Sequence, residues 1–132
     1  VVLLTVIAYK DGIMAADSLY VWGGMQRMKS WPKILETEYA VWGGAGSADS
    51  RAIDGLLLKA TDVTTLPTNE QLVATNFEGQ VLLCFRKKKE LWVIYCSIEK
   101  PQNNSCVHLK DKYFAIGSGG DYALGLMAGG LS

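Results

Sequence analysis

The chain has one histidine, His108, in 132 residues. A Ser-His-Asp or Cys-His arrangement would need that single imidazole as its base. His108 reads instead as a strand-edge residue, so neither triad is favoured. Cysteine is sparse as well. Cys84, Cys96 and Cys106 are odd in number and have no CxxC spacing. That argues against a disulfide framework and against a zinc site. They read as small buried hydrophobes, and a reducing cytoplasm is the expected compartment. Net charge is zero, from 13 basic and 13 acidic residues. So balanced a chain lacks the field that holds nucleic acid or an anionic membrane. Long apolar runs are missing too, since none reaches the roughly 18–20 residues of a membrane span. The leading Val1-Val2-Leu3-Leu4 is too short for a signal peptide and lacks its basic flank. There is no internal repeat, low-complexity segment or linker. Neither a metal nor a cofactor is expected.

What is present is a globular composition, 49 % apolar, in a chain long enough for one domain over residues 1–132. The chain is organised around Thr5 to Ser18, TVIAYKDGIMAADS. Thr5 to Tyr9 and Ile13 to Ala16 are short apolar runs. Asp11-Gly12 between them tolerates the positive φ of a tight hairpin. A hydroxyl opening the first strand and the Asp17 carboxylate closing the second then share one end of a sheet. A lysine, Lys33, follows in KSWPKIL.

Further along, Leu19 to Met28 reads as a ribbon interrupted by Gly23-Gly24. Lys33 to Leu35 and Tyr39 to Trp42 are short strands, the second ending at Gly43-Gly44. Ser47 to Ser50 offers N-cap residues. Ala52, Ile53, Leu56, Leu57 and Ala60 recur at helical spacing. Thr61 to Asn69 is a loop, and Asn69 to Thr75 a short helix. Gln80 to Arg86 and Leu91 to Ser97 flank a solvated lysine tip at Lys87 to Lys89, which predicts a hairpin. Pro101 to Ser105 is a turn, Tyr113 to Ile116 a strand, and Asp121 to Ala128 an apolar helix ending at Gly129-Gly130. Gly117-Ser118-Gly119-Gly120 lacks the Lys-Ser/Thr of a P-loop. Strands, then helices, then strands, then a helix indicate α+β rather than βαβ repeats. Trp22, Trp31, Trp42 and Trp92 exceed what a small core readily hides, so an apolar face and a homo-oligomer are expected.

Four pieces in this order resemble the proteasome-family threonine peptidases, above all the short proteasome-like proteins of bacteria and phages. They are the Thr5–Ser18 opening, Lys33-Ile34, GAGSAD from Gly44 to Asp49, and FAIGSGGDYALGLMAGG from Phe114 to Gly130. The resemblance covers nearly the whole chain. It implies a four-layer αββα sandwich, with a second helix shorter than the family's and the C-terminal part lacking. It implies Thr5 as N-terminal nucleophile, with residues 1–4 a propeptide or leftover. The threonine's own α-amine, with an ordinary pKa of about 7.7–8.0, would be the base. Lys33 would keep that amine neutral, and Asp17 would hold Lys33 charged and oriented. Gly46, in a glycine turn, would give its N–H to the oxyanion. Ser118 would help relay the proton. The implied activity is threonine-type endopeptidase action on unfolded polypeptide inside a homo-oligomeric ring, with or without an ATPase unfoldase. Two alternatives stay open: a catalytically inactive subunit with an assembly role, and an amidohydrolase acting on a small amide.

Overall fold

A computed structural model describes residues 6–16, 20–22, 25–27, 34–46, 50–111 and 113–117. The first hairpin forms as its sequence predicts. Strands β1 (Val6–Lys10) and β2 (Ile13–Ala16) pair antiparallel, Lys10 opposite Ile13. Asp11 and Gly12 carry the turn at φ 52° and 85°, the two left-handed positions that match a two-residue turn to the twist of its strands. A two-stranded ribbon follows, β3 (Tyr20–Trp22) and β4 (Met25–Arg27). Then come β5 (Ile34–Glu36), β6 (Ala40–Gly46) and helix α1 (Arg51–Leu57). Helix α2 (Asn69–Ala74) has only six residues, so the second helix is short. It starts on a capping box: Gln71 N–H donates to Thr68 Oγ1 and Thr68 N–H to Gln71 Oε1. Strands β7 (Gly79–Phe85), β8 (Glu90–Cys96), β9 (Ser105–Leu109) and β10 (Tyr113–Gly117) complete the described chain.

Two of these assignments correct the sequence reading. The reading puts His108 at a strand edge but gives no strand bounds between the turn at Pro101 and Tyr113, where β9 lies. Ser-Cys-Val-His-Leu has one β-branched residue and sits at a sheet edge with mixed exposure, so its alternation is faint. The reading also ends its strand at Gly43-Gly44 and makes Gly44 to Asp49 a turn. The strand instead runs on to Gly46. Glycine weakens a strand only through lost side-chain packing and entropy, and here β7 pairs with every residue of the run.

The sheets are β10-β1-β2 and β5-β6-β7-β8-β9, both antiparallel. Strand β1 packs over β6, β2 over β5 and β6, and β10 over β6 and β7. Period-2 alternation divides the core in two. Ile7, Tyr9, Ala45, Leu82, Cys84, Leu91, Val93 and Ile116 are buried between the sheets. On the other face of the large sheet, Trp42, Leu83, Phe85 and Ile94 pack with Ile53 and Leu57 of α1 and Leu72 of α2. Three layers are thereby described: small sheet, large sheet, helices. The helix read at Asp121 to Ala128, on which the expected fourth layer rests, lies outside the described residues.

Candidate functional site

Aligned sheets keep their strands within about 30° of each other, so their ends can be matched. The Asp11-Gly12 tip of the small sheet and the Lys88-Lys89 tip of the β7–β8 hairpin line one cavity of about 580 Å³. Nearby, Tyr9 of β1 and Cys84 of β7 are buried together between the sheets. Burial, then the neighbouring thiol, pushes the Tyr9 phenol above its ordinary range. Those contacts place the two hairpin tips at one end of the sandwich. The opposite end therefore holds Val6, Ala16 and Gly117 of the small sheet and Gly46 and Gly79 of the large one.

That opposite end is where the chemistry read from the sequence attaches. Val6 and Gly117 are register partners, and Ile7 pairs with Ala16. The residues bonded to these strand ends are Thr5, Ser118 and Asp17. On the large sheet, Ile34 opens β5 opposite Gly43, so Lys33 joins β5 on the Gly46 side. Thr5, Asp17, Lys33 and Ser118 themselves lie outside the described residues. Gly46 lies within them.

Gly46 is fixed by sterics. It closes β6 opposite Gly79, with φ 142° and 143° at the two positions. A Cβ on Gly46 would collide with the Glu78 carbonyl oxygen and crowd the Gly79 Cα, and one on Gly79 would strike the Ala45 carbonyl. Only glycine fits either place. The ladder also sets which way its N–H points. Arg86 N–H donates to the Tyr39 carbonyl (2.9 Å) and Thr37 N–H to the Ala40 carbonyl (2.8 Å). Antiparallel alternation then gives the odd residues of β6 to β7 and turns the N–H groups of the even ones toward β5. The N–H of Gly46 thus faces the β5 side, beyond Ile34, the first β5 residue paired with β6.

Of the groups weighed in the sequence, His108 stands apart from this end, whereas Cys96 lies at it, opposite Gly79. His108 sits exposed on β9, stacked on Trp92 at 4.9 Å, and lines the cavity at the other end. The cysteines are free thiols. Burial pushes Cys84 and Cys106 up, and Cys96 up to about 11, which keeps them protonated and inert at neutral pH. Of the four indoles counted in the sequence, Trp42 is wholly buried and Trp92 is partly buried against the helix-side core, while the side chains of Trp22 and Trp31 lie outside what is described.

The sequence reading missed Asp54. Its carboxylate is buried among the residues that dock α1. It accepts hydrogen bonds from Trp42 Nε1 (2.9 Å) and Ser50 Oγ (2.9 Å). The available signal was an acidic residue between Ile53 and Leu57 on the apolar face of a helix. Among the described residues no group of His, Cys, Asp and Glu is placed to hold a metal ion, and no helix is long and apolar enough to cross a membrane.

No family model and no curated protein matches the chain. A solved structure does: the Thiobacillus denitrificans BPH chain in complex with epoxomicin, a proteasome-like protein. The similarity has a TM-score of 0.55 at 19 % identity, over 95 % of this chain and 77 % of that one. At that identity the likeness is one of fold, and the fold of this chain is proteasome-like.

Proposed function

We propose that the chain is a threonine-type endopeptidase with Thr5 as its N-terminal nucleophile. What carries the reading is one end of a proteasome-like sandwich. The strand ends bonded to Thr5, Asp17 and Ser118 meet there, and Gly46 turns its N–H toward the side where Lys33 joins β5. The Thr5 hydroxyl oxygen attacks the peptide carbonyl, and its proton passes to the α-amine. The Gly46 N–H stabilises the developing oxyanion. Collapse returns the proton to the departing amine and leaves an ester on Thr5. Water, deprotonated by the same α-amine, then hydrolyses that ester. Lys33 keeps the amine neutral by charge repulsion, Asp17 orients Lys33, and Ser118 relays the proton. The helix at Asp121 to Ala128 would supply the fourth layer of an αββα sandwich. The enzyme is taken to act on unfolded polypeptide as a cytoplasmic homo-oligomeric ring, alone or fed by an ATPase unfoldase.

The test is hydrolysis of a fluorogenic peptide by the chain freed at Thr5, beside its Thr5→Ala variant. Activity that falls several orders of magnitude in the variant supports the reading. Equal activity in both refutes it. No activity in either, with rings intact, selects the assembly subunit instead.

A further inference from the structure

Trp42 lies four residues before Gly46 and Ser50 four residues after it, and one carboxylate joins the two. Asp54 Oδ1 accepts from Trp42 Nε1 at 2.9 Å, and Asp54 Oδ2 accepts from Ser50 Oγ at 2.9 Å. Trp42 is completely buried on β6, and Ser50 is the N-cap residue of α1. Asp54 is itself 4 % exposed. We propose that Asp54 is a positioning residue for the reaction, holding both flanks of Gly46 so that its N–H stays aimed at the oxyanion. The inference rests on the peptidase reading above.

Burying a carboxylate is costly unless it is well hydrogen-bonded, and bonds to an ionised acceptor are the stronger kind. Such a group fixes its donors more firmly than a neutral acceptor would. Next, among the described residues Gly46 pairs with Gly79 on its β7 side. Trp42 precedes it on β6 and Ser50 opens α1, so Asp54 ties together the two described elements on either side of Gly46 in the chain. Finally, an oxyanion donor works only in place, since a misplacement of about 1 Å can cost on the order of 100-fold in rate. Ser50 shows the same division of labour. Its hydroxyl makes no cap bond to the helix and goes to Asp54 instead.

The experiment uses the full chain freed at Thr5, with Asp54→Asn and Trp42→Phe. Asparagine keeps the shape of the carboxylate but loses the charge and one acceptor. Phenylalanine removes the indole donor and part of the buried ring volume, so its effect is read beside that of Asp54→Asn, which leaves the indole in place. For Asp54→Asn, kcat is expected to fall roughly 10- to 100-fold while KM changes less than about twofold. Affinity for a matched peptide aldehyde should fall with kcat, because the threonine oxygen adds to its carbonyl carbon and the resulting oxygen occupies the oxyanion position. Trp42→Phe should show the same pattern, more weakly. Hydrogen exchange at Gly46 and Ser50 should speed up in both variants under conditions where each remains fully folded. Unchanged kcat in a folded Asp54→Asn overturns the inference, as does a loss confined to KM. A wild-type chain that cleaves nothing removes the peptidase reading and with it the catalytic role of Asp54. Wild-type cleavage with an unaffected Asn variant removes only the role of Asp54.

Discussion

Two glycines two residues apart, Gly44 and Gly46, should respond in opposite ways to the same added methyl. At Gly44 a Cβ would meet Phe77 Cζ and Val81 Cγ2 at 3.5 Å, ordinary contact distance on the helix side of β6. Alanine there lowers the entropy of the unfolded chain and adds packing. Gly44→Ala is therefore expected to stabilise by about 0.5–1 kcal/mol. At Gly46 the backbone sits at φ 142°, and the methyl would meet the Glu78 carbonyl and the Gly79 Cα. A side chain in that glycine-only region costs about 1–3 kcal/mol, and the backbone collision adds about 1–3 more. Gly46→Ala should thus lose about 2–6 kcal/mol, a large part of the roughly 5–15 kcal/mol that holds a domain together. Gly79→Ala should match it, because its φ of 143° and its collision with Ala45 mirror those of Gly46. Urea unfolding followed by near-UV circular dichroism reads all three as shifts in midpoint at constant slope. A Gly46→Ala protein within 0.5 kcal/mol of wild type, as a rough threshold against single-surface-mutation scatter, would refute the close Gly46–Gly79 pairing. It would also remove the steric basis for the direction of the Gly46 N–H.

With residues 1–4 attached, the Thr5 nitrogen is an amide and cannot act as base, so that chain should be nearly inactive. On incubation, attack of the Thr5 hydroxyl on the Leu4 carbonyl, followed by hydrolysis of the ester, should yield a chain beginning at Thr5. Mass spectrometry should find that chain absent from Thr5→Ala and reduced in Thr5→Ser; its appearance from Thr5→Ala would contradict the mechanism. Cys96 keeps its proton up to about 11 in the folded state, against an ordinary 9.0. The unfolded chain releases that proton first as pH rises, so this stabilisation is complete below about pH 9 and falls by about 2–3 kcal/mol by pH 11. Cys96→Ala should flatten that limb in a urea series across pH 8–11, and an unchanged slope would contradict the assignment. Light scattering of the purified chain at micromolar concentration should show a homo-oligomer, and a monodisperse monomer would rule out the ring.

Much of the sheet architecture was legible because local chemistry and global pairing agree. Asp11-Gly12 and the lysine tip each announce a hairpin, and both form at one end of the sandwich. The short second helix was legible from the length of its segment. Strand β9 was not, because an edge strand with one β-branched residue carries little period-2 signal. Glycine deceived for a different reason. In sequence, Gly43 to Gly46 looks like punctuation. In space, the run is a strand whose bare Cα atoms let β7 come close, and the geometry that demands glycine at position 46 lies in Gly79, 33 residues away.

The candidate site divides along the same line. The sequence supplied the residue types and their order, and those depend on short spacings that a linear reading can see. Which end of the sandwich they share depends on pairings between β1 and β10 and on the packing of β1 over β6, both distant in sequence. Asp54 falls between the two cases. It is eight residues from Gly46, yet its partner Trp42 is reached only because β6 and α1 fold back on one another. A carboxylate at a helix position that should be apolar is a conflict between local pattern and fold. Here the conflict is resolved by a bond to the strand that carries Gly46, so the one buried acid among the described residues ties α1 to β6.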